Sequence, residues 1–365
     1  MRRNVIPAIG NKKVKQKLAS LCAFVQEKKD KPFFVCSHDN PDPDSLSSAY
    51  GMMKILNFLG VENVSIYYCG EISHPQNKAM QLVLDMPVKK WSKNLEHDNK
   101  DAIFVFVDCC NKQKNMSITN EPSIVIDHHK CNPTGKCIFI HDDVGACATL
   151  ITDLLLSLPP QENGEQKIYS FDPDSEDIKE IATALAIGIK TDTLDFRSEN
   201  TNDDDYRAYK TLSKFLSDDK FHKIINYELP PYIFDAEETA WKNKVSKPPN
   251  LITGLGFVEE GRGDCIPYLA DKMMRLQGIQ TVLVFAIVGS SLRASARTNS
   301  SSIDCQNLLN EVFGEGNGGA KSGSGGAYVR FNLFDINDME DTEKKQLWDL
   351  TKTTIERKFI KATEN

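Results

Sequence analysis

Short, continuous apolar runs alternate with longer stretches of helical period through the first half of the chain, and several runs close on polar residues. Residues 11 to 30 place Val14, Leu18, Leu21, Phe24 and Val25 at helical spacing, the pattern of an amphipathic helix lying on a sheet. Phe33-Phe34-Val35-Cys36 reads as a strand, Leu46 to Leu59 returns to the helical period with Gly60 placed to end it, and Asn63 to Tyr68 reads as a second strand. Strand, helix and strand in that order seed a parallel sheet with a right-handed crossover. His74 precedes a helix over Ala79 to Leu84 and reads either as a capping residue or as a contact near a site. After a polar surface segment over 89–101, Ile103 to Val107 and Ser123 to Ile126 are further apolar runs, as expected of central parallel strands covered on both faces. Val144 to Leu156 and Asp177 to Ile189 read as buried helices, separated by a polar loop over 159–175.

The pattern changes beyond residue 200. Asp203 to Tyr227 is charged and helical, and Pro230-Pro231 and Pro248-Pro249 bracket a stretch read as a linker. The expected organisation is α/β: a parallel-sheet domain over 1–205, a linker over 206–250, a smaller α/β domain over 251–340 and a C-terminal helix over 341–365. The second domain has strands at Leu251 to Val258, Thr281 to Val288 and Ser291 to Arg297, and Arg293 and Arg297, four apart, project from one face of the last. A helix over Ile303 to Phe313 leads into Gly314 to Ala327, where seven glycines can turn backbone N–H groups toward an anion and Lys321 adds charge. That glycine-rich stretch is read as a phosphate-contacting loop.

Composition narrows the class. With 40% hydrophobic and 26% charged residues, the 365-residue chain is an ordinary globular sequence long enough for two cores. A formal charge of −7 gives no general affinity for polyanions, so nucleic-acid contact is expected to be local and with short substrates, not long duplexes. The ten cysteines include no C-x-x-C pair, and several, such as Cys36, Cys109 and Cys147, lie in apolar surroundings; all are expected to be reduced. No leader-like or membrane-length apolar run is seen, and a cytoplasmic protein is expected.

The candidate chemistry lies where apolar elements end. Ser37-His38-Asp39-Asn40-Pro41-Asp42-Pro43-Asp44-Ser45 follows the first strand, Asp108 the strand at Ile103, Asp127-His128-His129 the strand at Ser123, and Asp192 the helix ending near Ile189. In open parallel sheets, ligands bind outside the carboxyl ends of the strands, so these residues are expected in one place. Oxygen and nitrogen donors without thiolate favour Mn²⁺ or Mg²⁺ over structural zinc. His38, Asp42, Asp44, Asp108, His128, His129 and Asp192 exceed the needs of one ion. Two ions bridged by a carboxylate are the arrangement that phosphoester hydrolysis uses, with a remaining histidine near the leaving group.

Taken in order, these four motifs, the last read as Gly188-Ile189-Lys190-Thr191-Asp192-Thr193, resemble those of the Asp-His-His (DHH) phosphoesterases, which include RecJ-like exonucleases, nanoRNases, cyclic-dinucleotide phosphodiesterases and, more distantly, family II pyrophosphatases. The resemblance implies that His38, Asp42 and Asp108 hold one Mn²⁺, and that Asp44, Asp108, His128 and Asp192 hold the other. It further implies that Asp108 bridges, that His129 faces the substrate phosphate and that Asp127 orients it. The second domain is similar to the DHH-associated C-terminal domain, with the active site in the cleft between the domains. Arg293, Gly318, Gly319, Lys321, Gly325 and Gly326 then contact the nucleotide. Where that family usually reads Gly-Gly-Gly-His, this chain has Gly318-Gly319-Ala320-Lys321, a departure that bears on substrate choice. The expected activity is a metal-dependent phosphodiesterase or exonuclease of the nanoRNase type, acting on short oligonucleotides or linear dinucleotides. A 3′-phosphoadenosine 5′-phosphate phosphatase, a soluble cyclic-dinucleotide phosphodiesterase and a non-catalytic nucleotide-binding regulator are the alternatives. The partner is the nucleotide substrate, with no membrane, and a homodimer is an option.

Overall fold

The computed structural model describes residues 11–364 except 73, 93, 96–98, 100, 112–115, 159–161, 164–165, 168–174, 322, 333–335 and 337. The chain divides between Glu228 and Leu229 into two units. In chain order the first contains α1 (Lys12–Lys28), β1 (Phe33–Cys36), α2 (Pro43–Phe58), β2 (Val64–Tyr68), α3 (Pro75–Val83), β3 (Val88–Lys90), β4 (Ile103–Val107), β5 (Ile124–Asp127), β6 (Ile138–His141) and α4 (Cys147–Ser157). It continues with a two-stranded ribbon, β7 (Glu162–Asn163) and β8 (Gln166–Lys167), then α5 (Glu176–Asp192), α6 (Asp203–Leu212) and α7 (Asp218–Ile225).

β1 to β6 form one parallel sheet in the order β3-β2-β1-β4-β5-β6. Every residue of β1, β4 and β5 is buried, so these strands lie inside the layers as their unbroken apolar runs require. The chain winds one way from β1 through β2 to β3 and the other way from β4 to β6. The loops after β1 and β4 therefore leave adjacent strands at the reversal of winding, the place where such sheets leave a crevice. Helix α2 packs at close range on α5, where a Cβ at Gly188 would lie 2.1 Å from Ser47 Oγ, and on α4, where one at Gly51 would lie 2.7 Å from the Ile151 side chain. His74 caps α3, its Nδ1 accepting from Gln76 N at 3.2 Å, so the capping reading of this residue holds.

The second unit contains α8 (Pro231–Asn243), β9 (Val245–Lys247), β10 (Asn250–Val258), α9 (Cys265–Met273), β11 (Thr281–Val288), β12 (Ser291–Thr298), α10 (Cys305–Phe313), β13 (Gly318–Lys321), β14 (Ser324–Arg330) and α11 (Asp341–Glu364). Its sheet has the order β13-β14-β12-β11-β10-β9, in which only β10 and β11 run parallel. Leu283, Phe285 and Ile287 face one core with Ile355 and Phe359 of α11, and Val282, Val284 and Ala286 face another with Ile233, Ala240 and Leu269.

Three expectations are revised. Residues 206–250 are folded and not a linker: Ala208, Leu212 and Ile224 enter the first core, Ile233 and Ala240 the second. Heavy charge on the exposed faces of these helices hides a sparse apolar stripe. The glycine-rich stretch is a hairpin and not an open loop, because β13 and β14 pair Gly318 with Ala327, Gly319 with Gly326 and Ala320 with Gly325. And two of the ten cysteines are paired, Cys110 with Cys131. The polar loop expected over 159–175 lies mostly outside the described residues. Among the described residues, no helix is long and apolar enough to cross a membrane.

Candidate metal centre

The loop between β1 and α2 is held open by hydrogen bonds that also aim its side chains. Asn40 takes a left-handed conformation at φ 55, and its N donates to Cys69 O at 2.9 Å. Asp42 caps α2, its Oδ1 accepting from Ser45 N at 2.9 Å, with Pro43 in the first turn. Its Oδ2 faces His38 Nε2 at 3.8 Å. The other ring nitrogen of His38 lies 2.9 Å from Asp39 O, which turns Nε2 inward. Asp44, in the first turn of α2, is buried and accepts from Cys147 N at 2.7 Å and Ala148 N at 2.8 Å. These are first-turn amides of α4, so a helix N-terminus fixes this carboxylate.

Asp108 immediately follows β4 and is buried, at 3% exposure. Its backbone sits at φ 57, a left-handed conformation costly for a residue with a Cβ, and its N donates to Ile126 O at 2.9 Å. One carboxylate oxygen, Oδ2, accepts from Ser45 Oγ at 2.6 Å and lies 3.4 Å from His38 Nε2. The other, Oδ1, lies 3.4 Å from His128 Nε2 and 3.6 Å from His129 Nδ1. His128 is oriented by its Nδ1, 2.9 Å from Val144 O, and its Nε2 also faces Asp192 Oδ2 at 3.2 Å, which arrives on the last residue of α5. His129 is turned by Asp127, whose Oδ1 lies 2.8 Å from His129 Nδ1 and accepts from His129 N at 3.0 Å.

The electrostatics of this cluster are those of sites built for cations. Asp108 Oδ1 and His128 Nε2 are buried and approach each other without hydrogen-bond geometry. Burial opposes a charge on His128, but Asp108, Asp44 and Asp192 outweigh it and push the imidazole up to about 10. Burial likewise opposes a charge on His38, which Asp108 and Asp42 hold well above the usual histidine range. Asp44 is lifted well above the carboxylate range by burial and by its neighbours Asp108 and Asp192. Buried carboxylates that converge with no lysine or arginine among them share protons or share a cation.

Six predicted ligands therefore converge as two overlapping groups: His38, Asp42 and Asp108 in one, and Asp44, His128 and Asp192 in the other, with Asp108 also grouped with His128 and His129. The residues fit two divalent ions, since the donor set is oxygen and imidazole nitrogen and the buried Asp108 turns one oxygen to each group. Sequence reasoning missed the supports. Ser45 Oγ lies 2.6 Å from both His38 Nε2 and Asp108 Oδ2, and its place directly after Asp44 was the available signal. Asp205, fully buried, accepts from Gly145 N at 2.8 Å and Thr149 Oγ1 at 2.5 Å, steadying the turn that offers Val144 O to His128. The local signal for that residue was the Asn202-x-x-Asp205 spacing of a capping box, which marks a helix start but not the contact with Gly145 and Thr149.

The other predicted residues lie in the second unit. Arg293 on β12 stands opposite Tyr328 on β14, its guanidinium 5.6 Å over that ring, and lines a cavity of about 750 Å³ with Ser291, Tyr328, Arg330 and Lys344. Arg297, on the same face, is engaged by Asp271 at 2.6 Å. Gly318, Gly319, Gly325 and Gly326 lie in the β13–β14 ladder with Lys321, whose side chain is outside the described set.

Residues 32–189 match the profile described as DHH family, N-terminal domain. An uncharacterized protein of Methanocaldococcus jannaschii is 30% identical over 87% of this chain and 62% of its own length. A manganese-dependent inorganic pyrophosphatase of Methanothrix thermoacetophila is 28% identical over 51% of this chain and 55% of its own. The bifunctional oligoribonuclease and PAP phosphatase NrnA of Thermus thermophilus is 26% identical over 53% and 52%. The chain thus spans little more than half the length of the curated relatives it matches. The crystal structure of an exopolyphosphatase-related protein from Bacteroides fragilis has the same fold, with a TM-score of 0.63 at 15% identity over 93% of this chain and 96% of that one.

Proposed function

We propose, because residues 32–189 match the DHH family, N-terminal domain, profile, that this protein is a metal-dependent phosphodiesterase that hydrolyses short oligonucleotides or linear dinucleotides, with two Mn²⁺ ions, or Mg²⁺, as its cofactor. The observation that carries the reading is Asp108, buried between two ligand groups with Oδ2 toward His38 and Oδ1 toward His128. His38, Asp42 and Asp108 would hold one ion, and Asp44, Asp108, His128 and Asp192 the other. When bound, such ions polarise phosphoryl oxygens, acidify water and offset charge in the in-line transition state.

The chain's own groups do the rest. His129 presents its imidazole to the phosphate, and Asp127 holds that ring by Nδ1, leaving Nε2 for a phosphoryl or leaving-group oxygen. Val144 O fixes the His128 ring, and α4 amides fix Asp44, so neither ligand reorganises as charge develops. In the second unit, Arg293 and the Tyr328 ring offer a cation and an aromatic face suited to a nucleotide. Gly319 and Gly326, on the same sheet face as Arg293, would bring backbone close to that ligand, whereas Gly318 and Gly325 face Leu309 of α10. The −7 formal charge favours a small substrate over a long polyanion.

The relative named as an oligoribonuclease and PAP phosphatase supports this substrate class, and the relative named as a pyrophosphatase supports a second reading in which pyrophosphate is cleaved. A time course with Mn²⁺ separates them, using RNA of two, five and twenty nucleotides beside 3′-phosphoadenosine 5′-phosphate, a cyclic dinucleotide and pyrophosphate. Loss of the two shortest RNAs with the longest intact is the expected result. Consumption of pyrophosphate alone overturns the nucleotide reading and leaves the metal centre standing.

A further inference from the structure

The bond between Cys110 and Cys131 joins two of the loops that carry the candidate metal-site residues, those after β4 and β5. Cys110 lies two residues after Asp108, beyond β4, and Cys131 two residues after His129, beyond β5. Cys110 is buried at 1% exposure, whereas Cys131 is partly exposed, so one sulfur is open to attack and the other is shielded. Cys131 Sγ lies 3.4 Å from Asp127 Oδ2, and the other oxygen of that carboxylate holds His129. Residues that turn a metal-site histidine from behind fix its ring, and their loss typically costs about 10–100-fold in metal affinity or activity.

We infer that Cys110 and Cys131 form a thiol–disulfide exchange site whose redox state tunes Asp127 and, through it, the setting of His129. The chemical class it takes is a low-molecular-weight thiol or its disulfide. In the reductive direction a thiolate attacks the accessible Cys131 Sγ, the bond to Cys110 breaks, and the Cys110 sulfur leaves as thiolate and takes a proton. A second thiolate then attacks the small-molecule sulfur of the mixed disulfide, the bond to Cys131 breaks, and Cys131 leaves as thiolate and takes a proton. The net change is Cys110–Cys131 disulfide plus two thiols to two protein thiols plus one small disulfide, and oxidation is the reverse. A disulfide sulfur has no proton, so in the joined state Asp127 Oδ2 receives nothing from Cys131. In the reduced state the Cys131 S–H can donate to that oxygen, and the His129 loop is no longer tied to the Asp108 loop. Cys131 is thus a positioning residue acting through Asp127. This inference rests on the reading of His129 as substrate-facing only for its kinetic arm.

The full-length protein is equilibrated with reduced glutathione or with glutathione disulfide, alkylated, digested without reductant and mapped by mass spectrometry, and the same samples are followed by histidine NMR and by Mn²⁺-supported turnover. A cross-linked Cys110–Cys131 peptide pair is expected in glutathione disulfide and its loss in glutathione, with a reversible shift of the His129 ring signals. Reduction is expected to slow turnover by roughly tenfold, in the range found for groups behind metal-site histidines. Cys131→Ser is expected to sit near the reduced rate in both buffers, and Cys110→Ser likewise. Free alkylation of both cysteines in glutathione disulfide overturns the inference, as do unmoved His129 signals between the two states. Should no phosphoester be cleaved at all, the mapping and the NMR still decide it, and the failure then belongs to the proposed activity.

Discussion

Asp108 carries two burdens at one position: a left-handed backbone at φ 57 and a carboxylate shared between two ligand groups. Asp108→Asn keeps the shape and removes the charge, so Mn²⁺ bound per chain is expected to fall from two toward none by elemental analysis, with turnover down by about a thousandfold or more. Normal turnover with two ions still bound would refute the shared-ligand account. The imidazoles make a second test. His128, pushed up to about 10, keeps its proton in the fold where an unfolded-chain imidazole near about 6.5 loses it. The stability this adds is complete below about 6.5 and disappears as pH rises through about 10. Chelator-treated protein is therefore predicted to melt at progressively lower temperature from neutral to alkaline pH. Mn²⁺ should abolish that decline, because ligand binding displaces the proton. A flat melting curve after chelation would contradict the assignment of His128 to the cluster.

At the scale of elements, the ligands are set by how α2 meets α5 and α4. Asp44 is on the first turn of α2, Asp192 on the last of α5, and the close seam at Gly188 and Ser47 sets their separation. In Gly188→Ala the new Cβ would stand 2.1 Å from Ser47 Oγ and 3.1 Å from Ala148 Cβ, so the helices must part. The expected cost is about 1–3 kcal/mol of stability by denaturant unfolding, with weaker Mn²⁺ binding than the wild type. Ser47→Ala in the same chain removes the nearest atom and should restore part of both. Equal loss in the single and double variants would place the effect elsewhere. Asp205 works at the same scale from a different helix: Asp205→Ala strips partners from Gly145 N, Thr149 Oγ1 and Asn202 N, and an unfolding cost of about 2–4 kcal/mol is expected.

For the molecule as a whole, the proposed function puts chemistry and grip in separate units, and kinetics can test that division. Arg293→Ala is predicted to raise KM about tenfold or more with kcat and bound Mn²⁺ unchanged, whereas loss of Mn²⁺ in that variant would contradict the division. Much of this was legible beforehand. The buried strands of the first unit announced themselves as unbroken apolar runs, and Asp108, His128 and His129 stand directly after two of them, since a strand buried on both faces admits polar residues only where it leaves the sheet, whereas Asp192 ends a helix. The helices over 206–250 were hidden because charge on one face outweighs a few apolar residues on the other, and the Cys110–Cys131 pair because cysteines 21 apart carry no local mark of contact. The sequence by itself determined the donor types, their order and the strand and helix ends that carry them, all being local matters of residue identity and period. Only the tertiary structure decided which oxygen of Asp108 meets which histidine, that α4 amides hold Asp44, that Asp205 steadies the Val144 turn and that the glycine-rich stretch pairs as a hairpin. Those depend on contacts between residues far apart in the chain, where distance and direction, not composition, fix the energy.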